Sequence, residues 1–209
     1  MLYQFYQQRV FPHLLNQVMQ MPSLMECRQQ LLQDIQGEVL EIGFGTGLNL
    51  PYYQAVDCVY ALEPNIDVFH LAHSRIQKCH FKVQHIMSSA ERLPFADQSL
   101  SHVVSTWTLC SVQDLETVLD EIYRVLKPNG IFHLVEHVLY EQPRYLQRLQ
   151  HALTPMQKVI ADGCHLNRNI ESALANAQFN ITEKNDFEAK KIPKIARRML
   201  LARATKTAE

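Results

Sequence analysis

Apolar residues fall at positions 2, 3, 5, 6, 10, 11, 14, 15, 18 and 19, close to the period of an amphipathic helix. Pro12 suits the first turn of a second helical piece, where its missing N–H is not needed. Ser23-Leu24-Met25-Glu26 reads as a capping box. It would open a further helix, apolar at 24, 27, 31, 32 and 35 and ended by Gly37. The pattern then changes. Val39-Leu40-Glu41-Ile42 is a short strand-compatible run that ends in Gly43-Phe44-Gly45-Thr46-Gly47, with Leu48-Asn49 expected to lead into a helix. Residues 58–62, 81–87, 101–108 and 131–139 are further predicted strands. Between them lie helical patterns, one apolar at 66, 68, 69, 72 and 76, another at 115, 118, 119, 122, 125 and 126. The second is capped by Asp114 and stopped by Lys127-Pro128-Asn129-Gly130. Such alternation implies right-handed crossovers and a parallel sheet covered on both faces, an α/β fold.

The last third reads differently. Residues 144–160 are helical with an expected break at Pro155, Asp162-Gly163-Cys164-His165 is a loop, and 169–177 form another helix. Residues 179–187 and 196–204 are expected to pair as a closing antiparallel hairpin. With no repeat, low-complexity stretch or boundary signal, the 209 residues are read as one domain. Its parts are a helical N-terminal cap (1–36), a ligand-binding core (37–140) and acceptor-side helices with the hairpin (141–209).

Composition narrows the class. The chain is 47% hydrophobic and 20% charged with net charge −1, so bulk electrostatics does not favour nucleic acid. No apolar run reaches the ~18–20 residues of a membrane span, and the N-terminus lacks the basic-then-apolar layout of a signal peptide. Five cysteines (27, 58, 79, 110, 164) without a Cys-x-x-Cys pair favour reduced thiols, a cytoplasmic setting and no structural zinc.

The glycine run carries the chemistry. Glycines at 43, 45 and 47 allow positive φ and let a ligand lie on the backbone. The spacing is not Gly-x-Gly-x-x-Gly, because position 48 is Leu, and no Gly-Lys-Ser/Thr follows. That disfavours a nicotinamide oxidoreductase and excludes a P-loop. Glu63 stands twenty residues after Gly43 at the end of the second strand, where a carboxylate can accept both hydroxyls of a ribose.

Taken together, Glu41-Ile-Gly-Phe-Gly-Thr-Gly47, Glu63-Pro64-Asn65, Ala90-Glu91-Arg92-Leu93-Pro94-Phe95 and Arg124-Val-Leu-Lys-Pro-Asn-Gly130 resemble the ordered motifs of class I S-adenosylmethionine-dependent methyltransferases. A narrower likeness adds residues 105–112, Glu136-His137-Val138, Asp162-Gly163-Cys164-His165-Leu166 and the Phe5-Tyr6 preface. These resemble the methyltransferase-like group that includes animal thiol S-methyltransferases and their bacterial relatives. The resemblance, with five alternating units and a terminal hairpin, implies a Rossmann-like seven-stranded, mostly parallel sheet of order 3-2-1-4-5-7-6 with one antiparallel strand. It also implies S-adenosylmethionine as cofactor and a small-molecule methyl acceptor.

By the same resemblance, Gly43, Gly45 and Gly47 would cradle the methionine part of the cofactor, with Glu41 supporting the turn. Glu63, followed by Pro64 and Asn65, would hold the ribose. Ala90 and Glu91 would flank the adenine, and Ser105 and Thr106 would line the transfer pocket. Relatives often carry an Asp before the Ala, whereas here Ser88-Ser89 stands there. Glu91 is the substitute for the missing adenine contact.

A thiol acceptor must ionise, and its ordinary pKa of ~8.5 makes a modest field sufficient. His137, at the end of the fifth strand, is the candidate base, and His165 beside Cys164 is a second. His133 shares a strand face with His137, but no third metal ligand is evident, so no metal site is assigned. The N-terminal aromatics Tyr3, Phe5, Tyr6 and Phe11 are read either as a lid or as core. Residues 189–206 hold seven Lys or Arg and no acid, which makes them either the solvated face of the hairpin or a peripheral contact for anionic headgroups. Competing functions are N-methylation of a phospholipid headgroup, C-methylation of a quinone precursor, and non-catalytic cofactor binding. Oligomeric state is not legible.

Overall fold

The computed structural model describes residues 5–206; Leu2 and Tyr3, part of the predicted N-terminal helix, lie outside them. The chain opens on a five-residue π-helical turn, Tyr6–Val10, followed by α1 (Phe11–Val18) and α2 (Pro22–Leu32). A seven-stranded sheet follows: β1 (Gln36–Ile42), β2 (Ala55–Leu62), β3 (Lys82–Ile86), β4 (Leu100–Thr106), β5 (Leu126–His137), β6 (Phe179–Glu188) and β7 (Arg198–Lys206). The spatial order is β3-β2-β1-β4-β5-β7-β6. Only β7 runs antiparallel to its neighbours β5 and β6. The α/β architecture and strand order are those expected.

Alternation along β1 shows why both faces must be covered. Leu40 and Ile42 enter one core with α5 (Leu115–Val125) and α7 (Ile170–Asn176). Val39 enters another with Leu31 and Leu32 of α2 and Phe69 of α3 (Ile66–His70). Crossovers on two faces bring the carboxyl ends of β1, β2, β4 and β5 to one edge, where open sheets of this kind hold ligands.

Several local expectations are corrected. The glycine loop runs into a single 3-10 turn, Leu50–Tyr52, and not into a helix. Leu48 and Leu50 are drawn into the core, and Pro51 follows at once. At α2 the cap is Met21 with Pro22 in the first turn; the Ser23 hydroxyl donates to Lys190 O at 3.1 Å and closes no capping box. That helix ends at Leu32, and Gly37 sits inside β1 with φ +72°, at a register shift against β2. The helix after β2 is two pieces, α3 and α4 (His73–Ile76). Pro155 does not break α6 (Arg144–Ile160), whose buried residues Leu146, Gln150 and Thr154 hold it along one face.

Candidate functional site

The glycine loop leaves β1 with Gly43, Gly45 and Gly47 at φ +67°, +60° and +74°. Their neighbourhoods differ. A Cβ on Gly43 would lie 2.1 Å from Thr108 Oγ1, so that glycine permits close approach of the β4 loop. A Cβ on Gly47 would crowd Ala72 and Leu50 at 3.1 Å. One on Gly45 would meet no side chain, its nearest neighbour being Gly43 O at 3.8 Å. Gly45 therefore faces open space.

Glu63 closes one side of that space. It is 8% exposed, its Oε2 accepting from Gly45 N and its Oε1 from Asn65 N, each at 2.9 Å. Burial raises its pKa against the pull of those two amides. Asn65 caps α3, accepting from Asp67 N and Val68 N, while Pro64 is exposed between them. His85 sits against Glu63 O at 2.8 Å and stacks on Phe69 at 3.7 Å.

Beneath the loop lies a buried polar network that sequence reasoning saw only in part. Glu41, 1% exposed, accepts from Asn49 Nδ2 at 2.9 Å and from the Tyr53 hydroxyl at 2.7 Å. Burial pushes its pKa up to about 7. Arg28 of α2 donates to Asn49 Oδ1 (2.6 Å) and Thr106 Oγ1 (3.0 Å), with its guanidinium 4.9 Å from the Trp107 ring centre. Burial lowers Arg28 to about 10. Thr106 thus serves as an acceptor at the end of β4, fastened to the cap helix. Arg28, Asn49 and Tyr53 carried no motif; the hint available was an Arg in an otherwise buried helix face.

The other sequence-predicted residues are placed as follows. Ala90 is buried in the turn after β3. Glu91 accepts from Ser89 Oγ and from Gln113 N at 3.1 Å, so it ties that turn to the start of α5. Ser105 is fully buried and donates to Glu136 Oε1 at 3.1 Å. Glu136 was named only within a motif, yet it organises the loop after β4. Its Oε1 also accepts from Thr108 N and Leu109 N, each at 2.9 Å. Burial raises its pKa to about 8.

His137 is not a free base at a cleft wall. Its Nε2 lies 3.1 Å from Cys164 Sγ, and its buried Nδ1 has no hydrogen-bond partner among the described residues. With Cys110 it completes a cluster whose ligand atoms lie within 4.8 Å of one another. A hydrogen bond from Cys164 holds the Cys110 thiol well below its ordinary pKa, while Cys164 is raised. Burial alone would lower His137, but the neighbouring Cys110 outweighs it and raises the imidazole. His165 Nδ1 turns instead to Cys110 O at 3.2 Å. His133 pairs with His102 at 3.1 Å.

The cap touches the loop. Asn16 Oδ1 accepts from Thr46 Oγ1 (2.9 Å) and Arg75 Nη2 (3.2 Å), and the Tyr6 hydroxyl donates to Ile160 O (2.8 Å). Phe11 is buried, whereas Phe5 is exposed. Within the basic stretch, Arg197, Arg198 and Arg203 pair with acids of β6, Glu188, Asp186 and Glu183. Among the described residues no helix is long and apolar enough to cross a membrane.

Residues 40–134 match the family model described as a methyltransferase domain. A thiol S-methyltransferase of Rattus norvegicus is 39% identical over 68% of this chain and 59% of its own length. A human thiol S-methyltransferase is 34% identical over 72% of this chain and 63% of its own. The chain thus spans about three fifths of the length of these curated relatives. An S-adenosylmethionine-dependent methyltransferase structure from Methanosarcina mazei superposes with TM-score 0.64 at 23% identity, covering 86% of this chain and 96% of that one; this likeness is one of fold.

Proposed function

We propose that this chain, a member of the class I S-adenosylmethionine-dependent methyltransferases, transfers the cofactor's methyl group to a small apolar thiol. The observation that carries the cofactor site is the pairing of Gly45 with Glu63: a left-handed glycine facing open space, hydrogen-bonded to a buried carboxylate at the end of the next strand. A carboxylate with two acceptor oxygens at this position fits a diol-bearing ligand. S-adenosylmethionine supplies an already activated sulfonium methyl. The chain's own residues then bind, orient and exclude water.

In this reading Gly43, Gly45 and Gly47 shape the cradle for the methionine part, with Glu41 holding Asn49 and Tyr53 beneath it. Glu63 takes the ribose hydroxyls, its two oxygens aligned by Gly45 and Asn65. Ala90 and Glu91 form the adenine side, and Pro64 turns the chain between the two regions. Ser105 and Thr106 line the transfer pocket through the segment they anchor. The cap covers the loop through Asn16 and Thr46. His137 serves as base from within its cluster with Cys110 and Cys164, where a proton can be shared among three polarisable groups.

The thiol assignment is supported by the likeness to thiol S-methyltransferases, which includes the stretches holding Cys110 and Cys164. The test is transfer of tritiated methyl groups to alkyl thiols, aryl thiols, phosphatidylethanolamine and a quinol precursor assayed side by side. Labelled thioether is the expected product. Labelled amine or ring carbon with every thiol inert would move the acceptor to another class, and no label in any acceptor would leave a binding module.

A further inference from the structure

Cys110, His137 and Cys164 reach one another from three separate segments: the loop after β4, the end of β5 and the turn after α6. They are 2%, 7% and 8% exposed. Backbone contacts add to the Glu136 side-chain bonds that hold the loop after β4 against β5. His165 N donates to Cys110 O at 2.8 Å, and a Cβ on Gly163 would lie 2.9 Å from Ser111 O, an approach only glycine allows. A thiol–imidazole hydrogen bond accounts for His137 Nε2 and one sulfur. The Cys110 sulfur, 3.5 Å from Trp107 O and from Ser111 Oγ, is a second soft donor in the same space.

We propose that Cys110 Sγ, His137 Nε2 and Cys164 Sγ form a binding site for one thiophilic divalent cation of the zinc class. Bond lengths near 2.3 Å for sulfur and 2.0–2.1 Å for nitrogen put tetrahedral ligand atoms about 3.5–3.8 Å apart. The observed triangle, with no side above 4.8 Å, is larger than this by about 1 Å at most for a pair of sulfurs. Two thiolates and an imidazole select a soft ion over magnesium or calcium. On binding, each thiol gives its proton to solvent and its sulfur lone pair to the metal, so no oxidant or reductant enters. The ion's two positive charges balance two thiolates that a buried site would otherwise not hold. The nearest surface cleft, lined by Thr154, Lys158, Val159 and His165, includes the residue that follows Cys164.

Three protein ligands leave one tetrahedral position open, the pattern of reactive and not of purely structural zinc. On the methyl-acceptor reading above, from which this step follows, an acceptor thiol occupies that position as its thiolate. With the ion bound, the metal favours ionised sulfur and His137 Nε2 is a ligand; the base role given to His137 above belongs to the metal-free chain.

The test uses the full chain, stripped with a chelator and titrated with Co2+ as a coloured substitute. One ion per chain is expected, with thiolate-to-cobalt charge transfer in the near ultraviolet and visible bands of a tetrahedral centre. Cys110→Ser and Cys164→Ser should each weaken the charge transfer, and Zn2+ should displace the colour. Cys79→Ser, just before the edge strand β3, should leave it unchanged. A wild-type chain with no such absorption overturns the site, whether or not the variants fold; so does an absorption that survives in both serine variants. Ethanethiol added to the cobalt form should strengthen the charge transfer, and a spectrum indifferent to it overturns the open position. S-adenosylmethionine binding, followed by calorimetry on the same samples, is a separate readout. Its loss would remove the methyl-transfer reading and leave the cation site standing.

Discussion

The backbone N–H of Gly45 donates to Glu63 Oε2 at 2.9 Å, so the tip of the glycine loop and the acid closing β2 are one hydrogen-bonded unit. Neither residue needs the other for secondary structure. Their link sets a carboxylate beside a glycine whose Cβ position would meet no side chain.

Replacing that carboxylate should cost the bonds a ribose makes to it. Glu63→Ala is expected to weaken S-adenosylmethionine binding by roughly 1.5–3 kcal/mol, the range of hydrogen bonds to charged groups. Isothermal calorimetry measures this directly, and an affinity equal to wild type would remove Glu63 from the site.

Two glycines of the same loop should fail in different ways. Gly45→Val places its side chain in open space, so binding should disappear while the fold pays only the left-handed φ, about 1–2 kcal/mol. Gly43→Ala drives a methyl into Thr108 and should destabilise the fold by a further 1–3 kcal/mol, roughly the cost of overpacking. Urea denaturation alongside calorimetry separates the two, and equal stability losses would contradict the contrast.

Glu136→Ala leaves the part-buried amide of Thr108 and the buried amide of Leu109 without their acceptor. At about 1–3 kcal/mol for each unsatisfied donor, the loss should reach roughly 2–6 kcal/mol. Glu136→Gln keeps an acceptor and should recover most of it. Chemical denaturation of the pair is the measurement, and an alanine variant as stable as wild type would show that water reaches these amides.

His133 sets an acid limit. Burial, with the charges of His102 and Arg203, lowers its pKa from 6.5 to about 3. The folded state keeps it neutral while the unfolded chain takes up a proton below 6.5, so its contribution to stability is whole above that pH and declines as pH falls toward 3. Between pH 6.5 and 5 the decline is at most about 2 kcal/mol. His133→Leu should lose less stability than wild type over that interval in urea midpoints taken at both pH values. Parallel declines would place the titration elsewhere.

The cap should govern exchange more than affinity for the fold. Asn16→Ala removes the bonds from Thr46 and Arg75 that hold α1 on the glycine loop. Faster dissociation of S-adenosylhomocysteine in stopped flow is expected, with about 0.5–1.5 kcal/mol lost from stability per bond. An unchanged off-rate would mean that the cap is packing and no lid.

Much of this protein was written locally in its chain. Strand alternation, the amphipathic α5 with its Asp114 cap, the closing hairpin and the glycine spacing each depend on neighbours a few residues away. Periodicity therefore reports them, and the twenty-residue step from Gly43 to Glu63 is one strand-to-strand crossover from β1 to the end of β2. The local readings that failed did so where tertiary packing outweighed propensity: the core drew in Leu48 and Leu50 in place of a helix, and the buried face of α6 carried it through Pro155. Other relationships have no local trace at all. Arg28 meets Asn49 and Thr106 across 21 and 78 positions, and Cys110, His137 and Cys164 meet because sheet order sets β4 beside β5 and His165 N bonds Cys110 O to bring in the turn after α6. A buried charge is acceptable only where partners arrive, and three soft donors form a site only at contact distance. The sequence by itself determined the sheet and its ligand edge; chain crossing in three dimensions decided which side chains face one another there.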